Sequence, residues 1–361
     1  MITRGDDFPI HQTADPVAIA GGGERNFYDR YFFNGYARDG SIYFAAALGS
    51  YPNRQVMDGA FSVVHRGRQY VVRASRLAGL ERMDTAVGPI RIEVITPLER
   101  LRLKVEPNQW GIAGDLLFTR RVPALEEPRF LRRIGGRIFL DYTRLTQHGE
   151  WTGTLSVADE QIDVGSLRFW GSRDRSWGIR PVGEREAGAP SFPLQFFWLW
   201  APVNFDDACT HFDVNEDADG QQWHAAGMLI PQGGDIEYAQ SVAHRLVLQP
   251  GTRHARQAEI TLQLKSGERH VIALKPLYNF YMLGLGYGHP HWGHGMFVGE
   301  HEVSGESWTL SELDPSVPLH LHVQAVCEAT LGARRGIGVL EQLILGPHQP
   351  TGLKELLDMA P

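Results

Sequence analysis

The sequence predicts an all-β protein with two barrel or sandwich domains in tandem. Three observations support this fold class. Short segments that alternate apolar and polar residues recur through the 361 residues, 40 glycines and 21 prolines interrupt them, and helical periodicity is scarce. A chain of this length is long enough to form two domains, which we place at residues 1–170 and 171–361.

Two β-hairpins are predicted by pairs of alternating segments that flank a glycine-containing turn. They comprise residues 61–65 with 69–73, and residues 259–264 with 269–274. Helical periodicity is present only around Leu145 and in residues 353–359, where we expect short helices.

Composition excludes several classes of protein. A net charge of -7 and scattered basic residues argue against a nucleic-acid partner, which would need a basic surface. Two cysteines, Cys209 and Cys327, are too few for a disulfide framework, and we expect reduced thiols. Without a long apolar run or an N-terminal apolar segment, we expect no membrane span, no signal peptide and a cytoplasmic location. A homodimer is the base-rate expectation.

Residues 169–181, Phe-Trp-Gly-Ser-Arg-Asp-Arg-Ser-Trp-Gly-Ile-Arg-Pro, combine charged and large aromatic side chains. Cation–π stacking and arginine–carboxylate pairing are the physical reasons for such a combination. The segment is therefore either a structural joint between the domains or the lining of a pocket.

In the pocket interpretation Asp174 is a general acid or a carboxylate that stabilises developing positive charge, and Trp170 and Trp177 present aromatic faces to an apolar or cationic intermediate. Arg173 or Arg180 would lower the pKa of Asp174, which favours the joint interpretation instead. Both interpretations remain open at this point.

A second candidate site is the histidine-rich segment His289-Pro290-His291-Trp292-Gly293-His294. Its histidines suggest a metal site, acid–base groups of a pocket, or a structural loop. Proline and glycine predict a loop, and no helical His-x-x-x-His pair is present. A third candidate is the aromatic run at residues 192–200, in which strand alternation places Trp198 and Trp200 on one face. That face, with Tyr281 later in the chain, lines a ligand cavity or belongs to the core.

Three strings resemble a two-domain, lipocalin-like superfamily, namely residues 171–180, 288–295 and 336–341. The superfamily includes carotenoid hydratases (hydroxyneurosporene synthases), AttH-type proteins and fungal lipocalin-like Diels–Alder cyclases, and the Arg-Asp-x-Ser-Trp-Gly pattern is most similar to that of a bacterial branch. The resemblance implies a pocket between or within β-barrels. It also implies an apolar isoprenoid or polyketide-derived small molecule and no organic cofactor.

The sequence lacks the motifs of several other enzyme classes: it has no Gly-x-Ser-x-Gly elbow, no Walker loop and no dinucleotide fingerprint. We therefore expect a cofactor-independent and metal-free hydratase, isomerase or cyclase that acts on an apolar terpenoid- or steroid-like molecule near the domain interface. The predicted proton donor is Asp174, with His289, His291 or His294 as its partner base. The predicted substrate-binding residues are Trp170, Arg173, Trp177, Arg180, Trp198, Trp200, Tyr281 and Trp292. The alternatives are a non-catalytic carrier of a hydrophobic ligand and a metal-dependent enzyme that uses the histidines of the 289–294 loop.

Overall fold

A computed structural model describes residues 1–183 and 194–361, and these residues form two antiparallel β-sheets. The first sheet contains β1 (Phe27–Tyr36), β2 (Ile42–Tyr51), β3 (Val56–His65), β4 (Arg68–Leu77), β5 (Ala86–Val87), β6 (Ile90–Thr96), β7 (Arg100–Val105), β8 (Ile112–Arg120), β9 (Leu125–Glu126), β10 (Phe130–Ile134), β11 (Arg137–Val157), β12 (Glu160–Asp163), β13 (Phe169–Ile179) and β21 (His301–Thr309). The second contains β14 (Phe196–Trp200), β15 (Val203–Phe205), β16 (Ala208–Glu216), β17 (Gln222–Pro231), β18 (Glu237–Leu248), β19 (Ala255–Leu264), β20 (Arg269–Tyr281), β22 (Val323–Leu331) and β23 (Arg334–Leu345). The helices of the described residues are 3₁₀ turns at Arg4–Asp7, Pro52–Arg54, Met282–Leu285, Leu310–Glu312, Pro318–His320 and Gln349–Thr351.

The predicted all-β class with two lipocalin-like units is confirmed. The second sheet closes into a barrel, because β17, at the end of the strand order, pairs with β16, and β14 and β15 join β16 to β23. The first sheet is curled but open, with the order β21-β4-β3-β2-β1-β13-β11-β8-β7-β6-β5.

Strand β13 carries the motif at residues 169–181 and lies in the middle of the first sheet, between β1 and β11. The first sheet thus extends to Ile179, and it also receives β21 from the late part of the chain. The domain limits 1–170 and 171–361 stay a prediction, since sheet membership alone does not define independently folding units.

Both predicted hairpins are confirmed, as β3–β4 and β19–β20. Arg66 and Gly67 both have positive φ (51° and 74°), which suits the two-residue turn between right-twisted strands. The helix expected around Leu145 is wrong. That residue lies in β11, a strand of 21 residues whose edges are occupied by β13 and by β8 or β9. Residues 353–359 are also not helical. From the sequence, residues 183–190 could form an exposed connector between the domains, and apart from Gly183 they lie outside the described residues.

Each sheet encloses an apolar core, and a third core joins the two sheets. In this interface core Phe32 meets Trp200 edge-on at a ring distance of 6.0 Å, and Tyr43 packs against Phe280 at 4.8 Å. Aromatic pairs of this kind favour a fixed relative position of the sheets.

Between β20 and β22 the chain leaves the barrel, adds β21 to the first sheet and then returns. This crossover segment, residues 282–322, includes the histidine-rich loop. None of the helices in residues 1–183 and 194–361 is long and apolar enough to cross a membrane.

Candidate functional site

A cavity of about 310 Å³ lies between the two sheets. Three parts of the chain line it. The first sheet contributes Arg30, Phe32, Tyr142, Arg144, Asp174, Ser176 and Arg180; the barrel contributes Phe196, Trp198, Glu341, Leu343 and Leu345; and the crossover segment contributes Tyr287, Gly288, Pro318, Leu319 and His322.

The first wall follows from the register of three adjacent strands. Ser176 of β13 is flanked by Arg30 of β1 and Arg144 of β11. One row along, Asp174 is flanked by Phe32 on the β1 side. Because side chains alternate across a strand, the residues two apart on β13 face the cavity together.

The second wall is mostly apolar. Trp198 of β14 lies opposite Leu343 of β23, and Phe196 lies opposite Leu345. Glu341, two residues before Leu343, places a carboxylate at one end of this apolar surface. An apolar cavity with a few convergent polar groups is the usual form of a small-molecule site.

Asp174 is the carboxyl group of the first wall. Within the described ranges no hydrogen bond or ion pair reaches its carboxylate oxygens. Burial raises the pKa of Asp174 to about 6; Glu341 adds to the rise, while Arg144, Arg30 and Arg180 oppose it. The nearby arginines thus do not hold this aspartate in a salt bridge, and it can keep its proton in mildly acidic conditions.

Glu341 is held in the opposite way. His322 Nε2 lies 2.7 Å from one carboxylate oxygen, and Gln324 donates to the other at 2.6 Å. The Trp198 indole N–H adds a longer hydrogen bond of 3.3 Å. Burial pushes the pKa of Glu341 upward, but hydrogen bonding and charge from His322, with help from Gln324 and Arg144, outweigh it and hold the pKa below its ordinary value.

Arg144 belongs to a buried ionic network that joins the sheets. Its guanidinium contacts Glu127 Oε2 at 2.5 Å and Asp213 Oδ2 of the barrel at 2.7 Å. His224 lies 3.1 Å from Asp213, and His211 lies 3.4 Å from the same carboxylate. Burial raises the pKa of Glu127 well above its ordinary value, whereas His211 and His224 hold the pKa of Asp213 well below its own. The ionised Asp213 therefore balances the positive charge of Arg144.

The network contains the group of potential metal ligands found among the described residues, which is Glu127, His211 and Asp213, with ligand atoms within 4.8 Å of one another. Arg144 already bridges the two carboxylates at hydrogen-bond distance. This arrangement fits an ion-pair network, because the guanidinium supplies the positive charge that a metal ion would bring.

Arg30 and Arg180 meet at His294. Nitrogen atoms of both guanidinium groups contact His294 Nδ1, that of Arg180 at 3.2 Å. His294 Nε2 lies 3.0 Å from the Leu285 carbonyl oxygen, which can only accept a hydrogen bond, so Nε2 carries the hydrogen. Burial, followed by the two arginine charges, holds the pKa of His294 well below its ordinary value. His294 is therefore a neutral residue that positions two arginines from behind the cavity.

The other loop histidines point elsewhere. His289 Nδ1 accepts the backbone N–H groups of His291 and Trp292, and its Nε2 lies 3.9 Å from Glu306. Burial and the charge of Arg73 lower the pKa of His289 to about 4. His291 is exposed, so the structure does not bring the three histidines of this loop together.

Three predicted residues on β13 lie outside the cavity. Trp170 is sandwiched between Arg38 and Arg121, whose guanidinium carbons lie 4.0 and 4.4 Å from its ring centre. Arg173 donates to Gln147 at 2.9 Å and lies over Phe118 in the first sheet. Trp177 is 39% exposed. The motif thus serves both as a joint, through Trp170, and as a cavity wall, through Asp174.

Of the remaining predicted residues, Trp198 and Arg180 line the cavity. Trp200 is buried behind it, against Phe32. Tyr281 packs against His254 and His320, and Trp292 borders a small separate void of about 10 Å³.

The model of one sequence family, described as a family of unknown function (DUF8625), matches residues 2–354. The chain belongs to the DUF8625 family. No curated protein sequence matches it.

Solved structures share the fold. An AttH-type protein of Nitrosomonas europaea is 13% identical with a TM-score of 0.57, covering 93% of this chain and 98% of that one. Kievitone hydratase of Nectria haematococca is 12% identical with a TM-score of 0.53, covering 90% and 93%. CghA, in a structure with Sch210972, is 12% identical with a TM-score of 0.54, covering 89% of each chain. The resemblance to the lipocalin-like superfamily is therefore confirmed for the fold.

Several residues of the cavity were missed by sequence reasoning, namely Arg30, Tyr142, Arg144, Tyr287, His322 and Glu341. A signal was present for two of them. Glu341 ends one of the strings that carry the family resemblance, and His322 is a polar residue within an alternating segment. The position of Arg144 on the cavity wall could not be inferred, because a helix was expected around Leu145. Arg30 and Tyr142 lie in strands whose inner and outer faces only the sheet order distinguishes.

Proposed function

We propose that this protein is a cofactor-independent enzyme that acts on an apolar, terpenoid- or steroid-like small molecule by acid–base chemistry. Asp174 is the proton donor, and the observation that carries this assignment is its carboxyl group on the cavity wall, free of ion pairs within the described residues and with a raised pKa. A donor with a pKa near 6 can hold its proton and still release it near neutral pH.

Glu341, hydrogen-bonded to His322, is the complementary base. It faces the same cavity with a lowered pKa, so it is ionised where Asp174 is still protonated. This pair replaces the loop histidines as the partner of Asp174, because His289 and His291 lie away from the cavity and both ring nitrogens of His294 are engaged.

Two proton transfers complete a hydration. Asp174 gives its proton to one atom of a polarised double bond, and Glu341 takes a proton from the water whose oxygen bonds to the other atom. Water then carries a proton from Glu341 to Asp174, which restores both groups to their starting protonation states. In an isomerisation Glu341 takes the proton from a substrate carbon instead. The apolar faces of Trp198, Phe196 and Leu343 pack against the carbon skeleton and limit the access of bulk water.

A structural neighbour supports this reaction class at the level of the fold, since kievitone hydratase has the same architecture. The arginines also bear on the reaction. Three guanidinium groups line the cavity, and they disfavour a free carbocation while stabilising negative charge on an oxygen atom. Polarised substrates such as enones therefore suit the site better than isolated alkenes.

The test uses the purified protein and a panel of terpenoid and steroid enones and alkenes in D₂O, with products identified by mass spectrometry. We expect deuterium incorporation by the wild type, and a loss of roughly 100-fold or more in Asp174→Asn. Asp115→Asn is the matched control, because Asp115 pairs with Arg102 outside the cavity. Binding of panel members without any turnover by the wild type would instead identify a carrier, and equal turnover by Asp174→Asn would remove Asp174 from the mechanism.

A further inference from the structure

Two of the three arginines that line the cavity lack a carboxylate partner. Arg144, by contrast, contacts the carboxyl groups of Glu127 and Asp213 within 2.7 Å, and Asp213 is held in its ionised form. Among the described residues, neither Arg30 nor Arg180 forms an ion pair. Apart from ring stacking, the one side-chain contact of each guanidinium group within the described residues is a hydrogen bond to the neutral Nδ1 of His294.

Arg30 is buried and Arg180 is half-buried, and both guanidinium groups are held in place. Arg30 is only 2% exposed, and its Nε has no hydrogen-bond partner within the described part of the chain. Its guanidinium carbon lies 5.1 Å from the ring centre of Tyr287, and that of Arg180 lies 4.4 Å from the ring centre of Tyr28. Stacking on rings fixes the guanidinium planes while it leaves their N–H edges available.

The nearby carboxyls form no ion pair with these two arginines within the described residues. Asp174 and Asp58 interact with Arg30 and Arg180 electrostatically, but neither carboxylate is within ion-pair distance of either guanidinium. Asp58 is engaged by the Gly295 backbone N–H at 2.7 Å and by the Tyr51 hydroxyl at 3.3 Å. The cavity therefore combines an apolar barrel wall with two arginines that have no carboxylate partner among the described residues.

We infer that the ligand of this cavity carries an anionic oxygen group, as a carboxylate does, and that Arg30 and Arg180 bind it. The inference rests on the proposed small-molecule function of the cavity and narrows its substrate class. Buried cations are costly without a counter-ion, and a planar guanidinium matches the two oxygens of a carboxylate. The apolar body of the ligand then lies against Trp198 and Leu343, within reach of Asp174.

The inference is tested with three small probes that share one apolar body, 2-naphthoate, its methyl ester and 2-naphthylmethylammonium, titrated calorimetrically into the full-length protein. We expect the wild type to bind the acid at least about tenfold more tightly than the ester, and the ammonium most weakly. Added salt should weaken the binding of the acid alone.

Variants then assign the selectivity to the arginines. Arg180→Gln should lose most of the preference for the acid, while Arg180→Lys, which keeps the charge but not the fork of donors, should retain part of it. Arg102→Gln is the matched control, because Arg102 pairs with Asp115 outside the cavity. Circular dichroism and thermal unfolding confirm that each variant is folded.

The inference is overturned if the wild type binds the ester or the ammonium as tightly as the acid, if it binds none of the three probes, or if folded Arg180→Gln keeps the full preference. These outcomes are separate from a failure of the proposed function. Asp174→Asn should abolish turnover but bind the acid as well as the wild type or better, since it removes a nearby negative charge.

Discussion

Asp174 and Glu341 face one cavity from opposite sheets, and their surroundings move their pKa values in opposite directions. Burial without a hydrogen-bond partner in the described residues raises the pKa of Asp174, whereas His322 and Gln324 hold Glu341 in its ionised form. Two carboxyl groups with separated pKa values are the arrangement that acid–base enzymes use to hold one acid and one base at the same pH.

The raised pKa of Asp174 predicts a distinctive effect of pH on stability. Because its folded-state pKa of about 6 exceeds its ordinary value of 3.8, ionisation destabilises the folded protein as pH rises through this window. We expect Asp174→Asn to match the wild type near about pH 4 and to be more stable by up to about 3 kcal/mol near about pH 8. Urea unfolding at the two pH values measures the difference. A variant less stable than the wild type at the higher pH would contradict the assigned shift.

Glu341→Gln should show the opposite pH dependence. Since the folded-state pKa of Glu341 lies below its ordinary value of 4.5, its ionised form contributes stability that is present above that value and lost as pH falls through the lowered pKa. We expect a cost of about 1–3 kcal/mol at neutral pH, because the donors His322 and Gln324 lose a charged acceptor. The same unfolding series tests it, and a cost that does not shrink in acid would rule out this linkage.

Arg144 should be the most sensitive arginine of the interface. Arg144→Met leaves the buried carboxylates Glu127 and Asp213 without their common partner, and we expect a loss of about 3–5 kcal/mol in the free energy of unfolding. Arg102→Met removes a half-exposed pair with Asp115 and should cost at most about 1 kcal/mol. If Arg144→Met lowered the free energy of unfolding no more than Arg102→Met does, the buried network would not be stabilising the protein.

Trp177 and Trp198 should differ in ligand binding. Trp198 lines the cavity, whereas Trp177 is exposed on the other side of β13. We expect Trp198→Phe to weaken binding of an apolar probe such as 2-naphthoate by roughly tenfold, and Trp177→Phe to leave the dissociation constant unchanged. Calorimetric titration measures both. A large loss in Trp177→Phe would place the binding surface elsewhere.

Local sequence was sufficient to predict the hairpins and to select β13 as part of a candidate site. The turn at Arg66 and Gly67 follows from local backbone geometry, and the mixture of Asp174 with arginines and tryptophans marked β13 as unusual. The sequence did not show which side chains of that strand line the cavity. Strand alternation places Asp174 and Arg173 on opposite faces, but it does not say which face meets the barrel.

The helix expected around Leu145 shows the main source of error. In isolation the residues of β11 carry a weak helical pattern, but β13 on one side and β8 or β9 on the other supply backbone partners along much of the strand. Tertiary pairing therefore determined the conformation here, against the local preference. Because a helix was expected around Leu145, the position of Arg144 on the cavity wall could not be predicted from the sequence.

The sequence by itself determined the all-β class and the hairpins, and it singled out Asp174 as the candidate proton donor, because alternation, turn residues and residue chemistry are local properties. Only the tertiary structure decided what faces Asp174. Glu341 is 167 residues away in the chain and His294 is 120 residues away, as their numbers show. Sheet order, barrel closure and the return path of the crossover segment bring such residues together or keep them apart, and these depend on long-range packing that no local pattern encodes.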